Sequence, residues 1–172
     1  RSRNAEPRRR REAGRRNGRA SGWHPVDLAA QVINALLDRT NADPALVDDV
    51  LMGCVSQIGQ QSSNVARNAV LASRLPLTVP GTTMDRQCGS SQQAIHFAAQ
   101  AVMSGSQDIV IAAGVESMSR VPMFSPVILP AKNEMGHHFS PTMHERYPGV
   151  KEFSQFVGAE MLAKKHDLSK EE

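Results

Sequence analysis

The chain has 172 residues, 40% of them hydrophobic and 22% charged, which suits one globular domain with a sizeable core and excludes a membrane-embedded or wholly unfolded chain. Nine of its 20 Lys and Arg residues fall in positions 1–19 against Glu6 and Glu12, a local balance of +7. The rest carries 11 basic and 15 acidic side chains, a balance of −4, so the net +3 belongs to one end and the body has no basic field for nucleic acid.

Residues 1–22 hold Arg8–Arg11, Arg15, Arg16 and three glycines with almost nothing to bury, which predicts an Arg-rich disordered segment. From Trp23 the texture changes. Val26, Leu28, Ala29, Val32, Ile33, Leu36 and Leu37 recur at helical spacing and predict a helix from Pro25 to Arg39. Asp43-Pro44 reads as the cap and first residue of a short turn, and Val50 to Val55 as a strand with Gly53 inside it. Val65, Ala66, Ala69, Val70 and Leu71 predict a second helix ending before Pro76, followed by an extended Leu77–Met84.

Gly89–Met103 is Ala- and Gln-rich, with Ile95, Ala98, Ala99 and Val102 at helical spacing and Ser104-Gly105 as the stop. Asp108–Gly114 is a nearly unbroken apolar run, the pattern of a strand covered on both faces by helices. Extended segment, helix and strand in that order predict a right-handed parallel crossover. Beyond Glu116 the Met, Pro, Ser and His residues show no sustained periodicity up to Tyr147, which predicts a long excursion rather than a packed layer. Phe153–His166 reads as a helix, and Ser169 and Glu172 have capping-box spacing.

Two cysteines are too few for a disulfide framework or an all-thiolate zinc site, no apolar run approaches the roughly 18 residues of a membrane span, and the N-terminal stretch lacks an apolar leader. A reducing, cytoplasmic setting is expected. Cys54 lies inside the apolar strand and reads as structural. Cys88 differs, because it falls between an extended segment and the first turn of a helix, where free amides and the helix dipole favour a thiolate. Gly89 leaves room beside the sulfur for an incoming group. The placement alone also suits a small buried cysteine. None of the histidines reads as a base or ligand: His96 falls inside the helix after Cys88, His137, His138 and His144 in the excursion without a carboxylate at metal spacing, and His24 and His166 at helix edges.

Asp85-Arg86-Gln87-Cys88-Gly89-Ser90-Ser91-Gln92-Gln93-Ala94, followed by Ala112-Ala113-Gly114-Val115-Glu116-Ser117-Met118-Ser119, resembles the nucleophile region of the thiolases. The likeness extends through Gly14–Leu28, Asp49–Gln57, Asn64–Ala72 and Val79–Thr83, and resumes at Gly158-Ala159-Glu160 and Leu168-Ser169. The resemblance implies an α/β chain forming one α-β-α half of a five-layer α-β-α-β-α fold, plus part of a loop domain. Residues 1–22 would be the Arg-rich segment, 23–116 the thiolase-like α/β domain and 117–172 a truncated loop domain.

The activity implied is transfer of an acyl group between acyl-CoA plus acetyl-CoA and 3-ketoacyl-CoA plus CoA, through an acyl thioester on Cys88. Coenzyme A enters as substrate or product, with no other cofactor and no metal. Phe156 and Val157, beside Gly158, stand where several members hold a His-Met-Gly segment against the pantetheine, and become candidate substrate contacts as well as candidates for plain helix packing. Members assemble as homodimers or homotetramers, and neither nucleic acid nor membrane is implied as a partner.

The family's activating His, second Cys and oxyanion-site Asn lie in a later half that these 172 residues do not include, so they are expected to be inactive alone and to leave a sheet-covering face unprotected. Residues 1–13 depart from the apolar strand with which the family opens, and a shifted reading frame is expected there. Fatty and steroid acyl groups are equally compatible with the resemblance. The alternatives are a non-catalytic half-protein or partner subunit and, least favoured, a basic nucleic-acid-binding arm.

Overall fold

The structure is a computed structural model that describes residues 20–170. The Arg-rich expectation for residues 1–22 therefore lies outside the described residues up to position 19, as does Glu172 of the capping box. The chain divides into two compact units, Arg1–Pro126 and Val127–Glu172.

The first unit begins with helix α1, Pro25–Thr40. His24 caps it by accepting the Val26 amide at 3.3 Å, Pro25 occupies the first turn, and Asn41 ends it in the left-handed region at φ 51°. Its inward stripe is Pro25, Ala29, Ile33 and Leu37 at steps of four, with Ala30 beside it. Val32 and Leu36, expected on that stripe, are exposed, because the contact with the neighbouring helix is narrower than the apolar face.

Three parallel strands follow: β1 (Asp49–Gly53), β2 (Gly81–Met84) and β3 (Val110–Gly114), in the order β2-β1-β3. Between them come α2, Val65–Ala72, and α3, Ser90–Met103. Strand alternation assigns the two faces. Val50, Met52 and Ile111 pack with Ile33 and Leu37 of α1 and Val65, Ala66, Ala69 and Val70 of α2. Leu51 points the other way, to Ala94 and Ala98 of α3, with Met84, Val110 and Ala112 around them. The α-β-α sandwich expected from the sequence is present, with β1 as its central strand.

Two expectations are refined. The β3 segment packs on both faces as expected, Ile111 and Ala113 on the side of α1 and α2 and Val110 and Ala112 on that of α3, but as an edge strand among the described residues it fully buries only Ile111. In α3, Ile95 and Val102 are 58% and 45% exposed, because the helix approaches the sheet through the small residues Ala94 and Ala98. The outer side of α3 is thus where apolar surface stands uncovered. Of the extended Leu77–Met84, only Gly81–Met84 pairs with β1. The preceding loop is tied to α2 instead, through Arg67, whose guanidinium donates to the carbonyls of Val79 at 2.5 Å and Leu77 at 2.9 Å.

The second unit is helical. Helix α4, Ser125–Lys132, starts at the unit boundary and contains Pro130. Then come α5, Pro141–Arg146, and α6, Gln155–His166. Helices α4 and α5 stand within the stretch read as an excursion, but α4 buries only Ser125 and α5 none of its residues, so they form no packed layer. Helix α5 is set by local chemistry rather than periodicity: Ser140 accepts the Met143 amide at 3.3 Å, and Pro141 takes the first position. Phe139 is buried, with the rings of His137, His138, His144 and Phe153 4.9–5.6 Å away.

Candidate active site

Cys88 is exposed in the turn that joins β2 to α3, as the sequence places it. The turn begins with Asp85, whose carboxylate accepts the Gln87 amide at 2.7 Å. Gln87 then takes the left-handed region, φ 49°, a conformation uncommon for a residue with a side chain and disfavoured unless its surroundings hold it. The constraint is visible. Gly89 N donates to Arg86 O and Ser90 N to Gln87 O, both at 3.1 Å. The Ser90 hydroxyl accepts the Arg86 amide at 2.9 Å and donates to Gln87 O at 2.5 Å. Outside these, the Arg86 guanidinium donates to the carboxamide oxygen of Gln93, one turn into α3.

Two glycines explain why this turn sits at the carboxyl end of the sheet. Gly53 and Gly114 end β1 and β3 and are paired in register. A β-carbon on Gly53 would lie 2.4 Å from the Ser90 carbonyl carbon and from the Ser91 nitrogen, and one on Gly114 1.8 Å from Ser91 Oγ. The amino end of α3 thus rests directly on the backbone of the two strands, an approach that any larger residue would block. By helix geometry, the first-turn amides that follow Cys88 lack partners within α3 and carry the positive end of its dipole.

Cys54 follows Gly53 but belongs to the other face, in the core with α1 and α2, and is 1% exposed. Burial, reinforced by the neighbouring Glu116 carboxylate, pushes its thiol up to about 12. That is the environment of an inert thiol. Glu116 itself receives the Val55 amide at 2.7 Å, the Ser56 amide at 3.3 Å and the Gln61 carboxamide at 3.0 Å. Gln61, fully buried, also donates to Ser56 O at 3.0 Å and accepts the Ser117 amide at 2.6 Å. This cluster fastens the loop after β1 to the loop after β3. Gln61 is the residue that pattern reading misses, since a lone glutamine in a Gly/Gln/Ser loop carries no period.

Phe156 and Val157 stand in the first turn of α6, in the second unit, 66% and 58% exposed. An open, mostly apolar hollow of about 700 Å³ runs along the same helix, but Gly158, Ala159, Met161 and Leu162 line it with Gln155 and Lys165. His96 is an exposed residue of α3, and His144 lies on α5 rather than in a loop. Among the described residues no group of three or more His, Cys, Asp or Glu side chains could hold a metal ion, and no helix is long and apolar enough to cross a membrane.

The family model for the thiolase N-terminal domain matches residues 8–172. A steroid 3-ketoacyl-CoA thiolase of Mycobacterium tuberculosis is 51% identical over 164 residues, covering 92% of this chain and 39% of that protein. A β-ketoadipyl-CoA thiolase of Escherichia coli is 42% identical over 135 residues, covering 78% and 34%. The crystal structure of the Bacillus anthracis acetyl-CoA acetyltransferase superposes with a TM-score of 0.68 at 30% identity, covering 88% of this chain and 39% of that one. The α-β-α sandwich is shared with that structure, and the chain belongs to the thiolase family. It spans about two fifths of the length of these relatives.

Proposed function

We propose that this chain carries the acyl-accepting half of a thiolase site and that Cys88 is its nucleophile. The observation that carries the reading is the exposed sulfur in a constrained turn at the start of α3, inside the match to the thiolase N-terminal domain. The Cys88 thiolate attacks the thioester carbonyl of an acyl-CoA, the carbon–sulfur bond to CoA breaks, and CoA leaves as a thiolate that takes up the proton lost by the cysteine. The positive end of the α3 dipole favours the negative charge that gathers as the tetrahedral oxygen forms. In the degradative direction the attacked group is the 3-keto carbonyl of a 3-ketoacyl-CoA: the bond between C2 and C3 breaks, and acetyl-CoA leaves as an enolate that takes up a proton.

The substrate class is a 3-ketoacyl thioester of coenzyme A, which the names of the steroid and β-ketoadipyl relatives share. Coenzyme A acts as substrate and product, and the reading needs no other cofactor and no metal. Phe156 and Val157 supply an apolar contact to the pantetheine or acyl chain. In the complete enzyme the chain works as a homodimer or homotetramer in the cytoplasm, without nucleic-acid or membrane partners.

These 172 residues by themselves stop at the acyl-enzyme, because carbon–carbon cleavage also needs a base and a second acid/base thiol. The test is release of CoA from acetyl-CoA by the purified chain, followed by chromatography. One equivalent of CoA per chain, with no thiolysis of acetoacetyl-CoA, is expected. No release at all contradicts the assignment of the nucleophile, and sustained thiolysis contradicts the division of labour.

A further inference from the structure

We propose that Ser90 is a positioning residue for Cys88: its hydroxyl holds the turn that presents the sulfur at the start of α3. The inference rests on the reading of Cys88 as nucleophile but concerns a different group and a different bond. Ser90 is 4% exposed, the first residue of α3, and pinned against the end of the sheet because Gly53 lets its backbone approach so closely. From that fixed point its single hydroxyl spans the turn. It takes the Arg86 amide on one side of Cys88 and gives its proton to the Gln87 carbonyl adjacent to it.

Donation to the carbonyl three residues back is a common serine pattern, made in this chain also by Ser62, Ser73, Ser104 and Ser125; what Ser90 adds is acceptance of the amide four residues back, that of Arg86. Both bonds run backward, to the two residues that precede the nucleophile. Gln87 sits at φ 49° and would relax to the extended or right-handed region if released, since its side chain disfavours the left-handed one. Its peptide links it to Cys88, so relaxation swings the cysteine away from the first-turn amides. The backbone bonds Gly89 N to Arg86 O and Ser90 N to Gln87 O close the same turn, but neither satisfies the Arg86 amide, which only the hydroxyl reaches.

The chain contains its own control. Cys54 is 1% exposed in the core on the opposite face of the sheet. Loosening of the fold exposes Cys54 to a thiol reagent, whereas displacement of the turn alters only Cys88. The experiment compares alkylation of both cysteines by iodoacetamide, quantified by peptide mass spectrometry, in the 172-residue chain and in Ser90→Ala and Ser90→Thr. Ser90→Ala, which removes both bonds of the hydroxyl, is expected to slow Cys88 about tenfold or more, with Cys54 still protected. Ser90→Thr, which keeps the hydroxyl, is expected to recover most of that rate.

Wild-type alkylation of Cys88 in Ser90→Ala overturns the proposal. So does a rise in Cys54 labelling that accompanies the change at Cys88, which marks Ser90 as a packing residue only, and so does failure of Ser90→Thr to restore the rate while Cys54 stays protected. Alkylation does not involve acyl transfer. If acetyl-CoA fails to acylate Cys88 while Ser90→Ala and Ser90→Thr behave as expected, the proposed function falls and the role of Ser90 in the turn stands.

Discussion

Gly114 lies against Ser91 so closely that a β-carbon at position 114 would stand 1.8 Å from Ser91 Oγ and 2.9 Å from Ser91 Cβ. Its partner in register, Gly53, meets the backbone of the same helix turn at 2.4 Å. The pair forms a flat seat for the amino end of α3. Gly114→Ala is expected to cost about 1–3 kcal/mol, since Ser91 can yield by rotating, and Gly53→Ala to cost more, since it meets backbone. Urea denaturation of both variants checks the order. Equal or negligible losses would mean that the helix start is not seated on these strands.

The buried carboxamide of Gln61 bridges Ser56, Glu116 and Ser117. Gln61→Leu keeps the volume but leaves the Ser117 amide and the Ser56 carbonyl without their partner. A loss of roughly 2–4 kcal/mol in denaturant unfolding is expected from orphaned polar groups in the interior. Glu116→Gln tests the same cluster from the other side, because its carboxylate receives two backbone amides that a carboxamide oxygen accepts less strongly.

Stability should fall in the alkaline range through Cys54. Its thiol ionises near 9.0 when the chain is unfolded and only at about 12 when folded, chiefly because it is buried and secondarily because Glu116 lies beside it. The folded state therefore keeps a proton that the unfolded state has released. The contribution is fully present below pH 9 and is lost progressively as pH rises toward 12. Cys54→Ala should flatten the decline of unfolding free energy across that window. An unchanged slope would show that this thiol does not set it.

An apolar stripe of Ile95, Ala99 and Val102 runs along the outer side of α3, with Met103 87% exposed at its end. Exposed stripes of this kind drive association. Replacing Ile95 and Val102 by Glu is expected to shift light scattering of the isolated chain toward the monomer mass without lowering its helical signal. Association that persists unchanged would locate the sticky surface elsewhere, with the exposed Met161 and Leu162 of α6 next to be tested.

What the sequence made legible was what local chemistry encodes. The Asp43 cap, the Pro25 start of α1, the Ser104-Gly105 stop and the position of Cys88 ahead of a helix all follow from residue types at fixed offsets. Periodicity was less reliable. Ile95 and Val102 share a spacing with Ala98, yet only the alanine faces the sheet, because a tight helix-to-sheet approach selects small residues and turns the large ones outward. Helix α5 hides among Pro, Met and His because a short helix set by its Ser140 cap and Pro141 needs no long apolar stripe. The hydroxyl of Ser90 and the carboxamide of Gln61 act across folded turns and loops, which no linear spacing displays.

The central claim is that Cys88 accepts an acyl group, and peptide mapping of the chain after exposure to acetyl-CoA tests it most directly. A single hydroxylamine-labile acetyl group on the peptide containing Cys88, absent from the peptide containing Cys54 and abolished in Cys88→Ala, is the expected result. Acetylation of Cys54 in place of Cys88, or equal acetylation in Cys88→Ala, would contradict the account.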